Sequence, residues 1–385
     1  MRPNRPWRAK PSARCSCSAS PDMQAREWDV IILGAGPAGL ALATRLAPKR
    51  VLLLERQAQA ADGLRIGESL PGAAGVLLQR LGIWEAFQSG NHLERGATIA
   101  IWDRDEPVWR DSLRDPAGPG WLLDRRGFEQ LLLYAARRCG ASIDYGCADF
   151  QVARQSAYWT LVPEGSQVRH LAPVIVDASG RAAYLARRLG LSHSKQDAQL
   201  CLHSFLPGHA ADEDTTMRIL ADQDGWWYCV RLANGYRVLA YHLDAKHRGR
   251  QALQQPDTFL ARARRHPLLA EVLTQRKAAD VHVRPAGTAV LDLANLDAAG
   301  PGFLAIGDAA ITFDPISSQG LFHALASAES AAAAIHAGCW YRADALAAFQ
   351  QELLAVASHY LAKRRLTYRG PERFAQAPFW AARRG

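Results

Sequence analysis

The sequence predicts an α/β protein with a parallel sheet and a second, largely antiparallel sheet inserted into it. Three observations predict this fold class. Short continuous apolar runs, typical of strands buried on both faces, occur at 28–33, 172–177 and 303–306. A glycine-rich turn follows the first run. Between the second and third runs, segments 228–232 and 236–243 alternate in polarity and contain β-branched or aromatic residues, which indicates antiparallel strands.

The composition is that of an ordinary globular protein. The chain has 385 residues, of which 49% are hydrophobic and 22% charged, so a disordered chain or a coiled coil is excluded. Apolar runs such as 331–335 fall short of the roughly 18 to 20 residues that a membrane span needs, and we expect no membrane association. The seven cysteines are scattered and form no C-x-x-C pair. This usage excludes a disulfide scaffold and a zinc ribbon, and it favours a reducing, cytoplasmic location.

The positive charge lies at the two ends of the chain. The net charge is +9, with about +4 in residues 1–25 and +6 in residues 361–385. The body between them is nearly neutral, which argues against nucleic-acid binding, although basic ends can dock an acidic partner. Residues 1–26 lack the apolar stretch of a signal peptide, and we expect a disordered basic tail. Met23 is an alternative start to Met1.

The elements follow in a β-α-β order at the start. The run 28–33 leads into a glycine turn, a helix over 40–46 and a second strand over 50–54. Further on, the sequence predicts an amphipathic helix over 128–138 and a long Ala-rich helix over 321–337.

The glycine turn has the spacing of a dinucleotide-binding fingerprint. Gly34 permits a tight turn, Gly36 lets the backbone approach a pyrophosphate, and Gly39 allows the helix to lie close to the strand. Glu55 ends the second strand, where a carboxylate accepts hydrogen bonds from a ribose hydroxyl. The alternatives are a glycine turn without a ligand and a solvated strand end at Glu55.

A second glycine turn indicates which dinucleotide is bound. Gly307 and Asp308 follow the strand at 303–306, and the segment 314–320 (DPISSQG) precedes the Ala-rich helix. This arrangement brings an acidic side chain to a second sugar or ribityl hydroxyl. It also places a helix N-terminus where it stabilises negative charge on a reduced flavin. The alternative is a plain strand-turn-helix with an exposed aspartate.

Taken together, these motifs resemble the FAD-dependent monooxygenases of the aromatic-hydroxylase fold and their halogenase relatives. The resemblance also covers G-E-S-L-P at 67–71, D-R-x-x-F at 124–128 and D-A-S-G at 177–180. It implies a Rossmann-like FAD-binding domain with an inserted β-sheet substrate domain. The expected FAD ligands are Gly34, Gly36, Pro37, Ala38, Gly39, Glu55, Arg56, Glu68, Ser69, Arg125, Asp177, Gly307, Asp308, Gln319 and Gly320.

Two of these implied ligands have structural alternatives. Arg125 is also consistent with an exposed cation at a helix start. Asp177 is followed by Ala178 where the family carries glycine, and it is also consistent with a strand-end cap for the next helix.

Within the superfamily the chain looks most like one subgroup. G-W-W-Y at 225–228, D-P-I-S-S-Q-G at 314–320 and the terminal P-E-R-F…P-F-W…R-R at 371–384 resemble the monooxygenases that mature cysteine tryptophylquinone enzymes of the quinohemoprotein amine dehydrogenase and lysine- or glycine-oxidase type. The resemblance implies oxygenation of a tryptophan ring in a partner polypeptide.

Three other functions are weighed against this one. Tryptophan halogenases carry a W-x-W-x-I-P motif, of which this chain keeps only Trp226, and an active-site lysine that the segment 95–101 lacks. A small-phenol hydroxylase is the second alternative. A non-catalytic, flavin-bound assembly factor is the third.

The predicted chemistry needs an electron donor and a covered flavin. The chain has one dinucleotide fingerprint, so electrons come from transiently bound NAD(P)H or from a separate flavin reductase. The expected catalytic residues are Pro315, Ser317, Ser318 and Gln319 against the flavin, with Trp226, Tyr228 and His242 on the substrate side. Aromatic strand residues such as these and Trp227 are often core residues.

Two further histidines, His203 and His323, are weaker acid or base candidates. No spacing of histidines and cysteines indicates a metal site.

The predicted domains are discontinuous in sequence. We expect the FAD-binding domain at 27–90, 121–183 and 284–342, and the substrate domain at 91–120 and 184–283. A helical, basic segment at 343–385 closes the chain, and its Arg364 and Arg365 are expected to steer a protein partner. The sequence leaves the oligomeric state open.

Overall fold

The computed structural model describes residues 24–59, 64–208 and 212–384. The predicted disordered tail, residues 1–26, therefore lies outside the described residues except for its last three.

In chain order, the strands within these ranges are β1 (Gln24–Glu27), β2 (Val30–Leu33), β3 (Val51–Glu55), β4 (Ser69–Leu70), β5 (Leu93–Glu94), β6 (Thr98–Ile101), β7 (Val108–Arg110), β8 (Trp121–Leu122), β9 (Ser142–Tyr145), β10 (Phe150–Gln155), β11 (Tyr158–Pro163), β12 (Val168–Ala172), β13 (Val174–Asp177), β14 (His193–Lys195), β15 (Gln199–Leu206), β16 (Met217–Asp222), β17 (Gly225–Arg231), β18 (Arg237–Asp244), β19 (His282–Pro285), β20 (Ala289–Leu291), β21 (Phe303–Ala305) and β22 (Ile311–Thr312).

The α-helices of the same ranges are α1 (Pro37–Arg45), α2 (Ala74–Arg80), α3 (Trp84–Gln88), α4 (Arg125–Arg138), α5 (Tyr184–Arg188), α6 (Pro256–Ala263), α7 (Pro267–Leu273), α8 (Gly320–His336), α9 (Ala343–Arg369) and α10 (Pro378–Ala381).

A five-stranded parallel sheet forms the first layer, with the strand order β21-β13-β2-β3-β9. Its strands β2, β13 and β21 are buried along their whole length, which explains their continuous apolar runs. Helix α1 packs against α4 and α8 beside this sheet. The carboxyl ends of β2, β3 and β21 therefore carry both glycine turns and Glu55, at the edge where open α/β sheets bind ligands. The predicted α/β fold class is confirmed.

Residues 24–26 differ from the predicted tail. They belong to β1, which pairs in parallel with β12 at the edge of a four-stranded sheet of order β1-β12-β11-β10. All four residues of β1 are exposed. Because this strand is held by backbone hydrogen bonds and not by apolar side chains, its sequence carries no strand pattern.

A seven-stranded, mainly antiparallel sheet forms the second layer, with the order β19-β15-β18-β17-β16-β6-β7. Its strands come from 98–110 and 199–285, within or beside the predicted substrate segments; the exact domain boundaries stay a prediction. Side chains alternate between its two faces. The face carrying Trp227 packs on α6 and α7 in one apolar cluster. The opposite face carries Tyr228 and turns toward the segment that precedes β4.

The C-terminal segment folds back onto the seven-stranded sheet. Helix α9 runs for 27 residues, and the chain then returns through α10. The side chains of Tyr368, Phe379 and Trp380 form an aromatic cluster with Trp226 and Trp102. No helix in the described ranges is long and apolar enough to cross a membrane.

Candidate functional site

The first glycine turn leaves open space at one position only. Gly34 has φ +106°, and a Cβ there would come closer than 3.0 Å to the carbonyl of Ala178. A Cβ on Gly39 would come equally close to the Gly34 carbonyl. A Cβ on Gly36 would meet no atom within 4 Å. Gly34 and Gly39 are therefore required by the fold, whereas the space beside Gly36 is free for a ligand.

The start of α1 is built to receive an anion. Gly36 is its N-cap and provides no side-chain cap, Pro37 stands in the first turn, and the first turn holds no acidic residue. The helix thus presents its positive end and free N–H groups to a cleft of about 470 Å³. Gly36, Glu55 and Tyr145 are among the residues that line this cleft. Its position and chemistry fit the pyrophosphate and ribose of FAD.

Glu55 is fixed at the mouth of this cleft. Its Oε2 accepts a hydrogen bond from the Ala35 N–H at 2.8 Å, and its Oε1 accepts one from the Gln57 N–H at 2.9 Å. A carboxylate has about four acceptor positions, so the two that remain are available to ribose hydroxyls. Arg56 is exposed next to it, and the contacts of the described chain give it no place in the cleft.

The second glycine turn packs directly on the first turn of α1. Gly307 has φ +57°, and a Cβ there would lie 3.0 Å from the Cβ of Ala38. The Gly307 N–H donates to Ser327 Oγ of α8 at 2.9 Å. The structure thus brings Gly36, Ala38 and Gly307 together, as the predicted cofactor site requires.

Asp308 projects from this turn toward an arginine that the sequence did not single out. Its Oδ2 lies 3.5 Å from Nε of Arg181. Arg181 also donates to the Gly287 carbonyl at 2.9 Å. Both ion-pair side chains remain about one-third exposed. Asp308 is therefore accessible beside Arg181, and its contact with a hydroxyl of the flavin side chain stays a prediction.

Arg125 is half-buried and is not an exposed helix-start cation. Asp124 caps α4 by accepting from the Gly127 N–H at 3.2 Å, which places Arg125 in the first turn. Its guanidinium donates to the Gly67 carbonyl and pairs with Glu129. Its Nε is buried and has no partner among the described residues. An orphaned donor at this position fits a ligand that supplies the missing acceptor.

Glu68 and Tyr228 join the two layers. Tyr228 Oη donates to Oε1 of Glu68, whose residue is only 2% exposed. Burial raises the pKa of Glu68, while the hydrogen bond from Tyr228 and the charge of Arg125 oppose that rise. Ser69 is buried beside it with an unpaired Oγ. The structure thus places three predicted residues, Glu68, Ser69 and Tyr228, at one interface.

Asp177 is a correction to the predicted FAD ligands. It is fully buried. Its Oδ1 accepts from Ser179 N and Oγ, and its Oδ2 accepts from the Ala186 N–H of α5 at 2.8 Å. The carboxylate therefore caps the turn and helix that follow β13, so the capping alternative is right and the cofactor role is removed.

Trp226 and His242 are a second correction. Their rings stack at a centroid distance of 3.7 Å, and Trp226 Nε1 donates to Tyr368 Oη at 3.2 Å. Both residues are buried under the C-terminal segment. Burial lowers the pKa of His242 to about 3. They are core residues beneath α9 and α10, and their predicted substrate contact is wrong. Trp227, on the opposite face, is core as well.

The two weaker histidine candidates are also buried. Burial lowers the pKa of His203 to about 4 and that of His323 to about 4. His323 lies against Phe313 at the start of α8. Neutral imidazoles of this kind are weak bases, so the structure gives neither histidine a role in proton transfer.

The segment 315–320 forms a half-exposed turn in front of α8. Ser318 adopts a left-handed conformation with φ +51°, and Ser317 Oγ donates to the Asp314 carbonyl at 2.8 Å. Pro315, Gln319 and Gly320 are also half-buried. The backbone of this turn remains available to a ring placed against it, as predicted for the flavin.

Behind this turn lies a charged network that the sequence did not reveal. The fully buried carboxylate of Asp314 accepts from Tyr368 Oη at 2.8 Å and from Arg364 Nε at 3.3 Å. Arg364 also pairs with Asp197, which precedes β15. These contacts join the turn, α9 and the seven-stranded sheet. Arg364 is 7% exposed, so its predicted role in steering a partner is wrong.

Over the described ranges, no group of three or more His, Cys, Asp or Glu side chains is arranged to hold a metal ion.

The fold and site together define a flavin-dependent oxidoreductase. The glycine turns, the open space at Gly36 and the orphaned donor on Arg125 make a cradle for FAD, which supplies redox chemistry when bound. Comparison with known families gives the same result. Residues 27–361 match the family described as FAD binding domain, and the chain belongs to that family. The protein is an FAD-dependent enzyme that uses oxygen.

Individual relatives differ in their chemistry. The FAD-dependent oxidoreductase LodB of Marinomonas mediterranea is 26% identical over 92% of this chain and 96% of its own. The flavin-dependent halogenase CmlS superposes with a TM-score of 0.81 at 22% identity, over 94% of this chain and 68% of that chain. The peptidyl tryptophan dihydroxylase QhpG, essential for tryptophylquinone cofactor biogenesis, has a TM-score of 0.70 at 24% identity, over 94% of this chain and 79% of that chain. The two structures show the shared fold.

Proposed function

We propose that this protein is an FAD-dependent monooxygenase that hydroxylates an aromatic ring, a tryptophan of a partner polypeptide, during quinone cofactor maturation. The observation that carries hydroxylation is the absence of a lysine from the segment 95–101, where the resemblance to halogenases implies one. The one cation of this segment is Arg95, whose Nε donates to Ser112 Oγ at 3.3 Å. A guanidinium stays protonated and is not a nucleophile, so it cannot carry a halogen as an amine does.

The residues of the site bind and orient the cofactor and the ring. Gly36, Glu55, Arg125 and Asp308 hold FAD, which supplies the electrons that activate O₂. The turn 315–320 would contact the flavin ring, and the seven-stranded sheet would help to enclose it. These layers keep water from the reacting groups and hold the substrate ring in place, which are the protein's main contributions in such a reaction.

A polypeptide substrate is supported by two observations. QhpG, which shares the fold, is a peptidyl tryptophan dihydroxylase. In the C-terminal segment, Arg364 and Arg383 are buried. Lys363, Arg365 and Arg369 of α9 are exposed. An exposed basic strip on α9 suits an acidic partner surface.

The test compares a tryptophan within a peptide with the free amino acid. We expect oxygen consumption coupled to product for the peptide and poor turnover of free tryptophan, because binding of remote groups is needed to orient the indole. Binding of the partner should weaken with salt, since such attraction is screened within about 10 Å at 0.1 M. Lys363→Glu with Arg365→Glu should slow association. Efficient turnover of free tryptophan or a simple phenol, without salt dependence, would leave a small-molecule hydroxylase.

The electron donor is NAD(P)H or a flavin reductase. Measuring FAD reduction with each of them identifies the donor. A non-catalytic assembly factor is distinguished by the absence of any substrate-dependent oxygen consumption.

Halogenation is the second candidate, because the halogenase CmlS shares the fold at a TM-score of 0.81. Its test is the addition of chloride or bromide to the same assay, with the product mass as readout. Arg95 predicts that no halogen is incorporated.

A further inference from the structure

Glu68 is a buried carboxyl group that the structure leaves half satisfied. Its residue is 2% exposed, and its Oε1 accepts a hydrogen bond from the hydroxyl of Tyr228. Its Oε2 is buried and has no partner among the described residues. An unsatisfied buried polar group costs about 1–3 kcal/mol and more when it is charged. Such a group calls for an explanation beyond stability.

Tyr228 stands between Glu68 and the accessible part of the interface. It is half-buried whereas Glu68 is buried. Its neighbours on the same face of the sheet include the small residues Cys201, Ala240 and Ala286. The phenol ring therefore packs where the seven-stranded sheet meets the segment before β4, and the carboxyl group it contacts is more deeply buried.

Two cations influence the Glu68–Tyr228 pair. The charge of Arg125, on α4, acts to lower the pKa of Glu68, and the charge of Arg95, before β6, acts to lower the pKa of Tyr228. Cys201 faces Glu68 from β15 with a pKa that burial raises. The environment also raises the pKa of Tyr228, which keeps the phenol neutral and a donor to the carboxylate. A tyrosine hydroxyl that donates one hydrogen bond retains lone pairs that can accept a proton.

We propose that Tyr228 and Glu68 form a proton relay for the hydroxylation, with Tyr228 as the catalytic residue and Glu68 as the positioning residue behind it. This inference rests on the proposed function. After the ring carbon has gained its oxygen, its C–H bond breaks and the electron pair returns to the ring. The proton forms an O–H bond on Tyr228 Oη as the original Tyr228 proton passes to Oε1 of Glu68.

The step involves no further redox change, since O₂ and the reduced flavin have already supplied oxygen and electrons. Glu68 becomes neutral and returns the proton to solvent when the product leaves.

The experiment uses the FAD-loaded native protein, Tyr228→Phe, Glu68→Gln and the control Tyr241→Phe. Tyr241 is a buried phenol of the same sheet on the face that packs on α6, where it accepts from Arg262 at 2.9 Å. FAD affinity and FAD reduction are measured first, by flavin absorbance, and should be unchanged in Tyr228→Phe and Tyr241→Phe. Because Glu68 is an expected FAD ligand, Glu68→Gln is compared at saturating FAD. The substrate is a peptide whose tryptophan ring carries deuterium or hydrogen.

The expected result is a loss of about 10²-fold in product formation for both relay variants, the usual size of general acid–base catalysis. A primary deuterium isotope effect should appear in Tyr228→Phe and be absent from the native protein and the control. Native rates in the relay variants would overturn the relay. So would a parallel loss of FAD binding without an isotope effect, because it would show a structural role.

A second readout does not need a substrate. The infrared difference spectrum between the native protein and Glu68→Gln at neutral pH should contain an ionised carboxylate, which the relay requires as proton acceptor. A protonated carboxyl band would overturn the relay even if the peptide is hydroxylated. If the native protein oxygenates no tryptophan peptide, the proposed function fails, and the spectrum still decides whether Glu68 is a competent acceptor.

Discussion

Replacing Gly36 by valine separates cofactor binding from folding. Gly36 has φ −81° and ψ −177°, which any residue adopts, and its Cβ would meet no atom within 4 Å. Because Gly36 is also the N-cap of α1, we expect the FAD-free protein to lose only about 1 kcal/mol of unfolding free energy. The added methyl groups occupy the space in which the pyrophosphate must lie.

The loss of FAD affinity follows from the contacts that would be displaced. Two charge-assisted hydrogen bonds from the helix N-terminus, each contributing about 1.5–3 kcal/mol, correspond to a loss of more than about 100-fold in affinity. Affinity is measured by quenching of flavin fluorescence, and stability by urea unfolding of the FAD-free proteins.

Gly39→Ala is the matched control. Its Cβ would come closer than 3.0 Å to the Gly34 carbonyl, so it should destabilise the FAD-free protein by about 3 kcal/mol, as overpacking does. If Gly36→Val binds FAD as the native protein does, the cleft beside α1 is not the cofactor site. If it unfolds like Gly39→Ala, the space beside Gly36 is not open.

The remaining predictions concern one cofactor ligand, one buried ion pair and one buried histidine. Asp308→Ala should weaken FAD binding by roughly ten- to a hundredfold with the fold intact, because it removes one charge-assisted hydrogen bond; an unchanged Kd would make Asp308 a surface residue. Arg364→Glu should cost about 3–5 kcal/mol of unfolding free energy, since it leaves buried Asp314 without its ion pair and Asp197 with Arg383 alone, and adds a third carboxylate beside them, whereas Arg365→Glu, on the exposed side of α9, should be nearly neutral in the same urea titration. The pKa of His242 falls from 6.5 to about 3 on folding, so the unfolded state binds more protons below pH 6.5 and stability is lost as the pH falls from there. His242→Gln should make that decline shallower by up to about 1.4 kcal/mol per pH unit, and an identical slope would contradict the buried, neutral state.

The parallel sheet and the glycine turns were predictable because their signals are local. Strands buried on both faces must be continuously apolar, as at Val30–Leu33. The glycines of the turn are dictated by atoms a few residues away, and the structure agrees with the predicted roles of Gly34, Gly36 and Gly39 in the fold.

The errors arose where a residue's role depends on distant partners. The sequence predicts a surface cation at Arg364, but this side chain is buried in an ion pair with Asp197, 167 residues away. The sequence predicts a substrate contact at Trp226, but this side chain is covered by Tyr368, 142 residues away. No pattern within a strand or helix encodes such contacts.

The intact mass of a tryptophan-containing partner peptide, after incubation with the reduced, FAD-loaded protein under isotopically heavy O₂ with chloride present, distinguishes hydroxylation from halogenation. We expect a gain of one or two heavy oxygen atoms located on the indole ring, with no gain when FAD or O₂ is withheld. A chlorine isotope pattern in the peptide would contradict this expectation and identify a halogenase, and an unmodified peptide with the flavin reoxidised would show that this tryptophan is not the substrate.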